Sequence, residues 1–263
     1  LSKQSMIDKM LKKHHKCTML KGKDFMDVKK YPRLGELYKY LYNEELENAH
    51  NALADTVCCF KCYLKMFPID KSVYFFKNKE IKLTDEQQKI VYEDLNTHMI
   101  VVASAGSGKT TTTLTRIKYL LDQGINDNEI MLTTFTWDAA HEMKTKLNDI
   151  LGYKSNITVG TIDGIARSYI KDDEMRHVGE YSYEFLKLIR DKKSYIDHYK
   201  YLFVDEFQDI NDVQFEIIKE FYKNKTIVFG VGDDAQNIYT FRGSNVKYML
   251  DFTKFFKNSK CHM

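Results

Sequence analysis

The chain is poor in residues that interrupt structure: two prolines and 12 glycines in 263 residues leave few natural linkers. It lacks an apolar run of 18 residues and a signal peptide, so nothing in it reads as membrane-spanning or secreted. Five cysteines are an odd number, which argues against a disulfide framework and for a reduced, soluble, intracellular protein. Cys58, Cys59 and Cys62 give a C-x-x-C spacing without a second Cys/His pair nearby, and they fall in a helical pattern. They read as small core residues rather than zinc ligands. A charge excess is also missing. Forty Lys+Arg against 37 Asp+Glu leave +3, so any nucleic-acid partner must be held by a local patch. Nine of the first 30 residues are Lys, which reads as a solvated terminus. The first residue is Leu1 rather than Met, and an upstream part is expected to be missing.

What is present divides in two. Leu34, Leu37, Tyr38 and Leu41 recur at helical spacing. A second helix is expected from about Asn51 to Met66, with Leu53, Val57, Phe60 and Leu64 on one side and Pro68 just beyond it. These define a helical segment over 1–67, with a linker at 68–82. From Leu83 to Met263 the texture alternates between strand and helix, with apolar runs at 99–102, 130–135, 201–204 and 226–231. That alternation predicts an α/β fold, a mostly parallel sheet covered by helices, with ligands at the carboxyl ends of its strands.

The run Met99–Val102 leads into Ala103-Ser104-Ala105-Gly106-Ser107-Gly108-Lys109-Thr110, followed by Thr111. A glycine-rich loop leaves backbone N–H groups free to surround phosphate oxygens, and the next helix points its positive end at them. Lys109 adds a point charge for the β/γ-phosphates, and Thr110 offers its hydroxyl to Mg²⁺. Ala103 stands where the loop pattern has its first glycine. Ninety-six residues after Lys109, the run Leu202-Phe203-Val204 ends in Asp205-Glu206. Asp205 reads as a ligand of Mg²⁺ and Glu206 as the general base that orients the attacking water. ATP and Mg²⁺ are the cofactors this pattern calls for.

Taken together, residues 83–263 resemble superfamily 1 helicases of the UvrD/Rep type, whose ATPase core is a RecA-like P-loop NTPase domain. Leu83-Thr84-Asp85-Glu86-Gln87-Gln88 resembles the segment whose glutamine, here Gln87, reads the adenine edge. Thr134-Phe135-Thr136 with Ala139-Ala140 resembles a segment that contacts single-stranded DNA, which implicates Phe135 and Thr136. Trp137-Asp138 stands where many members carry Asn-Lys. Val159-Gly160-Thr161-Ile162-Asp163-Gly164 resembles the next DNA-contacting motif, which implicates Thr161, with Asp163 in place of the usual His. Val231 to Gly243 is the most specific match. By resemblance Gln236 senses the γ-phosphate, Tyr239 faces the DNA and Phe241 stacks a base.

Two departures qualify the resemblance. Only some 37 residues separate Ala166 from Phe203, so the helical subdomain inserted there in the family is expected to be small or absent. The sequence stops where the next family motif would begin, so the second RecA-like motor domain and its arginine fingers are expected to be missing. Those arginines are worth about 10³–10⁵ in rate in related NTPases, and hydrolysis by this chain alone is expected to be poor.

Further upstream, Asn48-Ala49-His50-Asn51-Ala52-Leu53-Ala54-Asp55-Thr56 resembles the last motif of DEDD-type 3′–5′ exonucleases, in which His50 would be the general base and Asp55 a metal ligand. The other acidic motifs of that family are not visible in residues 1–47, so the expectation is a remnant without nuclease activity. The function expected is therefore the core of an ATP-dependent DNA helicase, with single-stranded DNA as its polymer substrate. Two alternatives are an ATP-gated single-strand-binding module without motor activity and an ATPase regulator of a nuclease.

Overall fold

The computed structural model describes residues 18–45, 52–66, 72–76, 79–170, 177, 179–233 and 245–263. The chain forms two compact units, residues 1–70 and 71–263.

In the first unit, α1 (Thr18–Met26), α2 (Leu34–Tyr42) and α3 (Ala52–Met66) pack around Leu37, Tyr38, Cys58, Cys62 and Met66. Cys58, Cys62 and Met66 repeat every fourth residue, so they share one face of α3. Val57, expected on the buried side, is 44% exposed. The face defined by Cys58, Cys62 and Met66 is rotated about 100° from Val57.

The second unit begins with an antiparallel hairpin, β1 (Val73–Phe76) and β2 (Lys79–Lys82), in the stretch expected to be a linker. Next come α4 (Asp85–Val91), β3 (His98–Val102), α5 (Lys109–Asp122), β4 (Ile130–Thr134) and α6 (Trp137–Leu151). They are followed by β5 (Thr158–Thr161), α7 (Ile162–Tyr169), α8 (Glu180–Asp191), β6 (Tyr201–Val204) and α9 (Asp212–Lys223). The unit closes with β7 (Ile227–Gly232), α10 (Lys247–Leu250), α11 (Phe252–Phe255) and β8 (Ser259–His262).

The six strands β3–β8 form one sheet, ordered β5-β4-β6-β7-β3-β8, and every pairing is parallel. Side-chain alternation buries both faces, as an all-parallel sheet requires. Met99, Val101, Tyr201 and Phe203 face a cluster built with α4, α5 and α6. Ile100, Leu202 and Val204 face the other cluster, built with α7, α8, α9 and the short α10 and α11. Connections that step from β3 toward β5 run over the first face, and those returning toward β8 run over the second. A single crossover hand accounts for this division. The predicted α/β class and parallel sheet are therefore what the chain adopts. Between β5 and β6 the described residues form α7, α8 and a short turn against the sheet, in place of a large inserted subdomain.

Candidate nucleotide site and strand-binding edge

After Val102 the chain curls through residues 103–108 and starts α5 at Lys109. Gly106 and Gly108 have φ of +80° and +86°, backbone that a side chain resists, so the curl depends on both. Gly108 is also hemmed in, since an added Cβ would lie 2.7 Å from Gln87 Nε2. The Ala103 N–H donates to the Gly232 carbonyl at 2.9 Å and carries the β3–β7 ladder into the loop. Residues 104–107 are exposed, whereas Gly108, Lys109, Thr110 and Thr111 are half-buried. An exposed backbone arc at the positive end of a 14-residue helix is a site for anionic oxygens.

Lys109 Nζ donates to the Ala103 carbonyl at 3.0 Å and lies 3.9 Å from Asp233 Oδ2. Asp233, at the end of β7, is 3% exposed. Gln87 closes the far side of the loop. Thr84 caps α4 by accepting the Gln87 N–H at 3.2 Å, and Gln87 Oε1 accepts the Thr84 N–H at 3.1 Å. That reciprocal cap leaves Gln87 Nε2 to donate to the Ser107 carbonyl at 3.2 Å.

At the end of β6, the Asp205 N–H donates to the Thr133 carbonyl at 2.8 Å, so its backbone is fixed by the sheet. Glu206 then takes left-handed backbone (φ +51°, ψ +49°), unusual for a side chain of this size. The turn that follows buries Phe207, Gln208 and Asp209. Burial first, and the Glu206 charge second, push the Asp205 carboxyl up to about 6, with Lys109 pulling partly back. Asp205 therefore lies within electrostatic reach of the Lys109 ammonium. Asp209 is likewise raised to about 6, by burial and by Glu206. Gln208 joins these parts: its amide N–H₂ donates to Glu206 and Asp209, and its carbonyl accepts the Asp233 N–H.

The sheet order fixes the layout of the carboxyl edge. Thr161 (β5), Thr134 (β4), Asp205 (β6), Gly232 (β7) and the loop after β3 follow one another. With strands roughly 4.8 Å apart, Thr161 lies about 19 Å from that loop. The residues expected to bind phosphate thus occupy one half of the edge, and Phe135, Thr136 and Thr161 the other. In that second half Thr136 caps α6 by accepting the Ala139 N–H, and Thr161 caps α7 by accepting the Gly164 N–H. A cleft of about 330 Å³ runs from Trp137, Phe135 and Thr161 to Asp163, Asp205 and Glu206. Asp163 is held by Ser182, whose hydroxyl donates to it at 2.6 Å.

The structure thus bonds Gln87 to the loop at Ser107, sets Asp205 within electrostatic reach of Lys109, and links Glu206 to the Lys109 neighbour Asp233 through Gln208. Gln236, Tyr239, Phe241 and His50 lie outside the described residues, and Asp55 is half-buried in the first turn of α3. Among the described residues, no three His, Cys, Asp or Glu side chains form a metal cage. Sequence reasoning assigned no role to Asp233 or Gln208. Asp233 lies within the Val231–Gly243 match and Gln208 three residues after Asp205, but it is the β3–β7 and β6–β7 pairings that bring Asp233 to Lys109 and Gln208 to Asp233.

The family model described as the UvrD/REP helicase N-terminal domain matches residues 83–193 and 180–257 of this chain. The chain belongs to the UvrD/REP helicase family. The matched span of the UvrD/REP domain takes in Gln87, the loop, Asp205, Glu206 and Asp233, and begins after the N-terminal unit. A putative ATP-dependent DNA helicase, R568, of Acanthamoeba polyphaga mimivirus is 33% identical over 65% of this chain and 27% of that protein. The putative ATP-dependent DNA helicase YjcD of Bacillus subtilis is 25% identical over 68% of this chain and 35% of that protein. DNA helicase II of Salmonella typhimurium is 24% identical over 68% and 37%. The chain spans between roughly a quarter and two fifths of these relatives. No described helix is long and apolar enough to cross a membrane.

Proposed function

We propose that the chain is the ATP-binding core of a UvrD/Rep-type DNA motor. It binds ATP with Mg²⁺ and holds single-stranded DNA along the same sheet edge. In the full-length protein it couples hydrolysis to unwinding, with a second motor domain supplying the arginine fingers. The observation that carries this reading is the placement of Lys109, at the start of α5, 3.9 Å from Asp233 after β7 and within electrostatic reach of Asp205 after the neighbouring β6.

The residues fit a divalent cation. Asp205 is half-buried beside Glu206, and among the causes that set its titration the Glu206 backbone N–H and the Lys109 charge offset burial and the Glu206 charge only in part. Mg²⁺ in such sites takes one or two protein oxygens and fills the rest with phosphate oxygens and water, so a three-carboxylate cage is not needed. Asp205 and Thr110 would hold it, and when bound it neutralises charge developing on the phosphoryl oxygens.

The loop N–H groups and Lys109 bind the phosphates. The Lys109 ammonium exchanges its contacts with Ala103 and Asp233 for phosphate oxygens. Gln87, already anchored beside Ser107, reads the adenine edge. The Glu206 carboxylate accepts a proton from the attacking water, and Gln208 holds that carboxylate in place. Gln236 senses the γ-phosphate. Phe135, Thr136, Thr161, Tyr239 and Phe241 meet the strand, with Phe241 stacking a base. Residues 1–67 are the end of a DEDD-type exonuclease domain, a reading supported by the His50–Asp55 motif, with 68–82 as its connector to the motor.

ATP turnover with and without single-stranded DNA tests the motor reading. Stimulation by DNA, lost in Lys109→Ala, is expected. Nucleotide-dependent DNA affinity without turnover would instead make the domain a gated binding module.

A further inference from the structure

The Asp209 side chain takes no part in the hydrolytic steps above, and its surroundings suit it poorly. It is 6% exposed in the turn after β6, in the stretch from Phe207 to Ile210, whose two ends belong to the apolar cluster under α7, α8 and α9. Its Oδ2 accepts one long hydrogen bond, from Gln208 Nε2 at 3.3 Å. Its Oδ1 is buried with no hydrogen-bond partner among the described residues. Burial and the Glu206 charge both work against an ionised carboxyl here, and the Gln208 amide opposes them. A buried acid so thinly satisfied weakens the fold, which points to a use outside core packing.

That use lies in the Gln208 amide. Gln208 is 2% exposed, and its amide is held at three points. The oxygen accepts the Asp233 N–H at 3.0 Å, while the nitrogen donates to Glu206 Oε2 at 2.8 Å and to Asp209 Oδ2 at 3.3 Å. A primary amide nitrogen has two hydrogens, so each carboxyl takes one. The terminal torsion of a glutamine is broad, and an anchor on the oxygen alone leaves the amide plane free to swing. Asp209 adds an anchor on the nitrogen side. With both anchors in place, the remaining N–H has one direction, toward Glu206. That direction matters because Gln208 is the one hydrogen-bond partner of the Glu206 carboxylate among the described residues.

We propose that Asp209 is a positioning residue for hydrolysis: it takes one hydrogen of the Gln208 amide and thereby aims the other at the Glu206 carboxylate. The proposal rests on the reading of Glu206 as the group that accepts the proton of the attacking water. Asp209 acts through Gln208 and touches neither Lys109 nor the phosphate loop, so nucleotide affinity does not depend on it. An asparagine at 209 keeps a carbonyl that accepts the same N–H, whereas alanine and leucine offer no acceptor.

ATP hydrolysis by the whole chain is followed under single-turnover conditions, beside equilibrium titration with Mg-ATP. The proteins compared are the wild type, Glu206→Gln, Gln208→Ala, Asp209→Ala, Asp209→Leu, Asp209→Asn and the double variant Gln208→Ala/Asp209→Ala. Asp209→Ala should slow hydrolysis roughly 10-fold, the low end for losing an orienting partner. Asp209→Leu, which leaves less of a cavity, should be equally slow, and Asp209→Asn should recover most of the rate. Unchanged ATP affinity shows that a slow variant is folded. The double variant should be no slower than Gln208→Ala alone, because both substitutions remove one shared anchor. A rate unchanged in Asp209→Ala and Asp209→Leu, or losses that add in the double variant, overturns the positioning role and leaves the hydrolytic reading intact. Asp209→Asn as slow as Asp209→Ala also overturns it. A wild-type chain that binds ATP without turning it over, or turnover that survives Glu206→Gln, removes the reading of Glu206 itself and this proposal with it.

Discussion

Gln208 donates its side-chain amide to the Glu206 carboxylate at 2.8 Å while its own carbonyl takes the Asp233 N–H at 3.0 Å. One buried amide therefore ties the proposed base to the strand end that neighbours Lys109. Gly232 makes room for it, since an added Cβ there would lie 2.5 Å from Gln208 Oε1. Gln208→Ala should lower ATP turnover about 10- to 100-fold, as losing an orienting partner does in comparable sites. ATP affinity should change little, because no phosphate contact is removed. Steady-state kinetics with separate kcat and KM check this. A rise in KM at constant kcat would remove the orienting role.

Asp205 takes up a proton more readily folded than unfolded, because burial and Glu206 raise it from 3.8 to about 6. Folding stability from this group therefore falls as pH rises from about 4 to 6 and stays low above that window. A displacement of this size is worth roughly 2–3 kcal/mol. Asp205→Asn should raise the melting temperature of the nucleotide-free protein at pH 7.5 by several degrees and flatten its rise toward pH 4, while it impairs hydrolysis. Thermal melts from pH 4 to 8 measure both effects.

The same titration sets a limit on ligand binding. A protonated Asp205 is a poor ligand for a metal ion, so Mg²⁺-dependent ATP affinity should weaken as pH drops below about 6. Titrations at pH 5 and 7.5, with and without Mg²⁺, test this. Equal Mg²⁺ dependence at both values would argue that Asp205 is not a ligand.

Arg116 is 1% exposed, and its guanidinium donates to the carbonyls of Val91, Glu93 and Asp94 at 2.9, 2.5 and 3.0 Å. It ties the end of α4 to α5, opposite the Gln87–Ser107 bond. Arg116→Met leaves three carbonyls without their donor and should cost about 3–5 kcal/mol in urea unfolding. Arg116→Lys should rescue little, since a single ammonium cannot reproduce the fork.

The central strands and the loop were legible because each leaves a local mark. Met99–Val102 and Leu202–Val204 are short apolar runs, and Gly106 to Thr110 declares its chemistry in five residues. The edge strands were not. β5 is Thr-Val-Gly-Thr and β8 is Ser-Lys-Cys-His, both only partly buried, so neither writes an apolar run. Val73–Phe76 is aromatic enough for a strand, but its β2 partner, Lys-Glu-Ile-Lys, carries little apolar pattern. The buried face of α3 was misjudged at Val57 because cysteine and valine compete there as core residues. Arg116 gave no sign of its burial, since its partners are backbone carbonyls more than 20 residues away. Asp233 and Gln208 lie in or beside motif segments, but their contacts with Lys109 and Glu206 depend on a strand order that puts β7 between β3 and β6.

Equilibrium titration of the chain with Mg-ATP, wild type beside Lys109→Ala, tests the nucleotide site most directly. Saturable binding by the wild type, lost in a Lys109→Ala protein of unchanged melting temperature, is the result expected. A wild-type chain without affinity for adenine nucleotides, or equal binding by Lys109→Ala, would contradict the account.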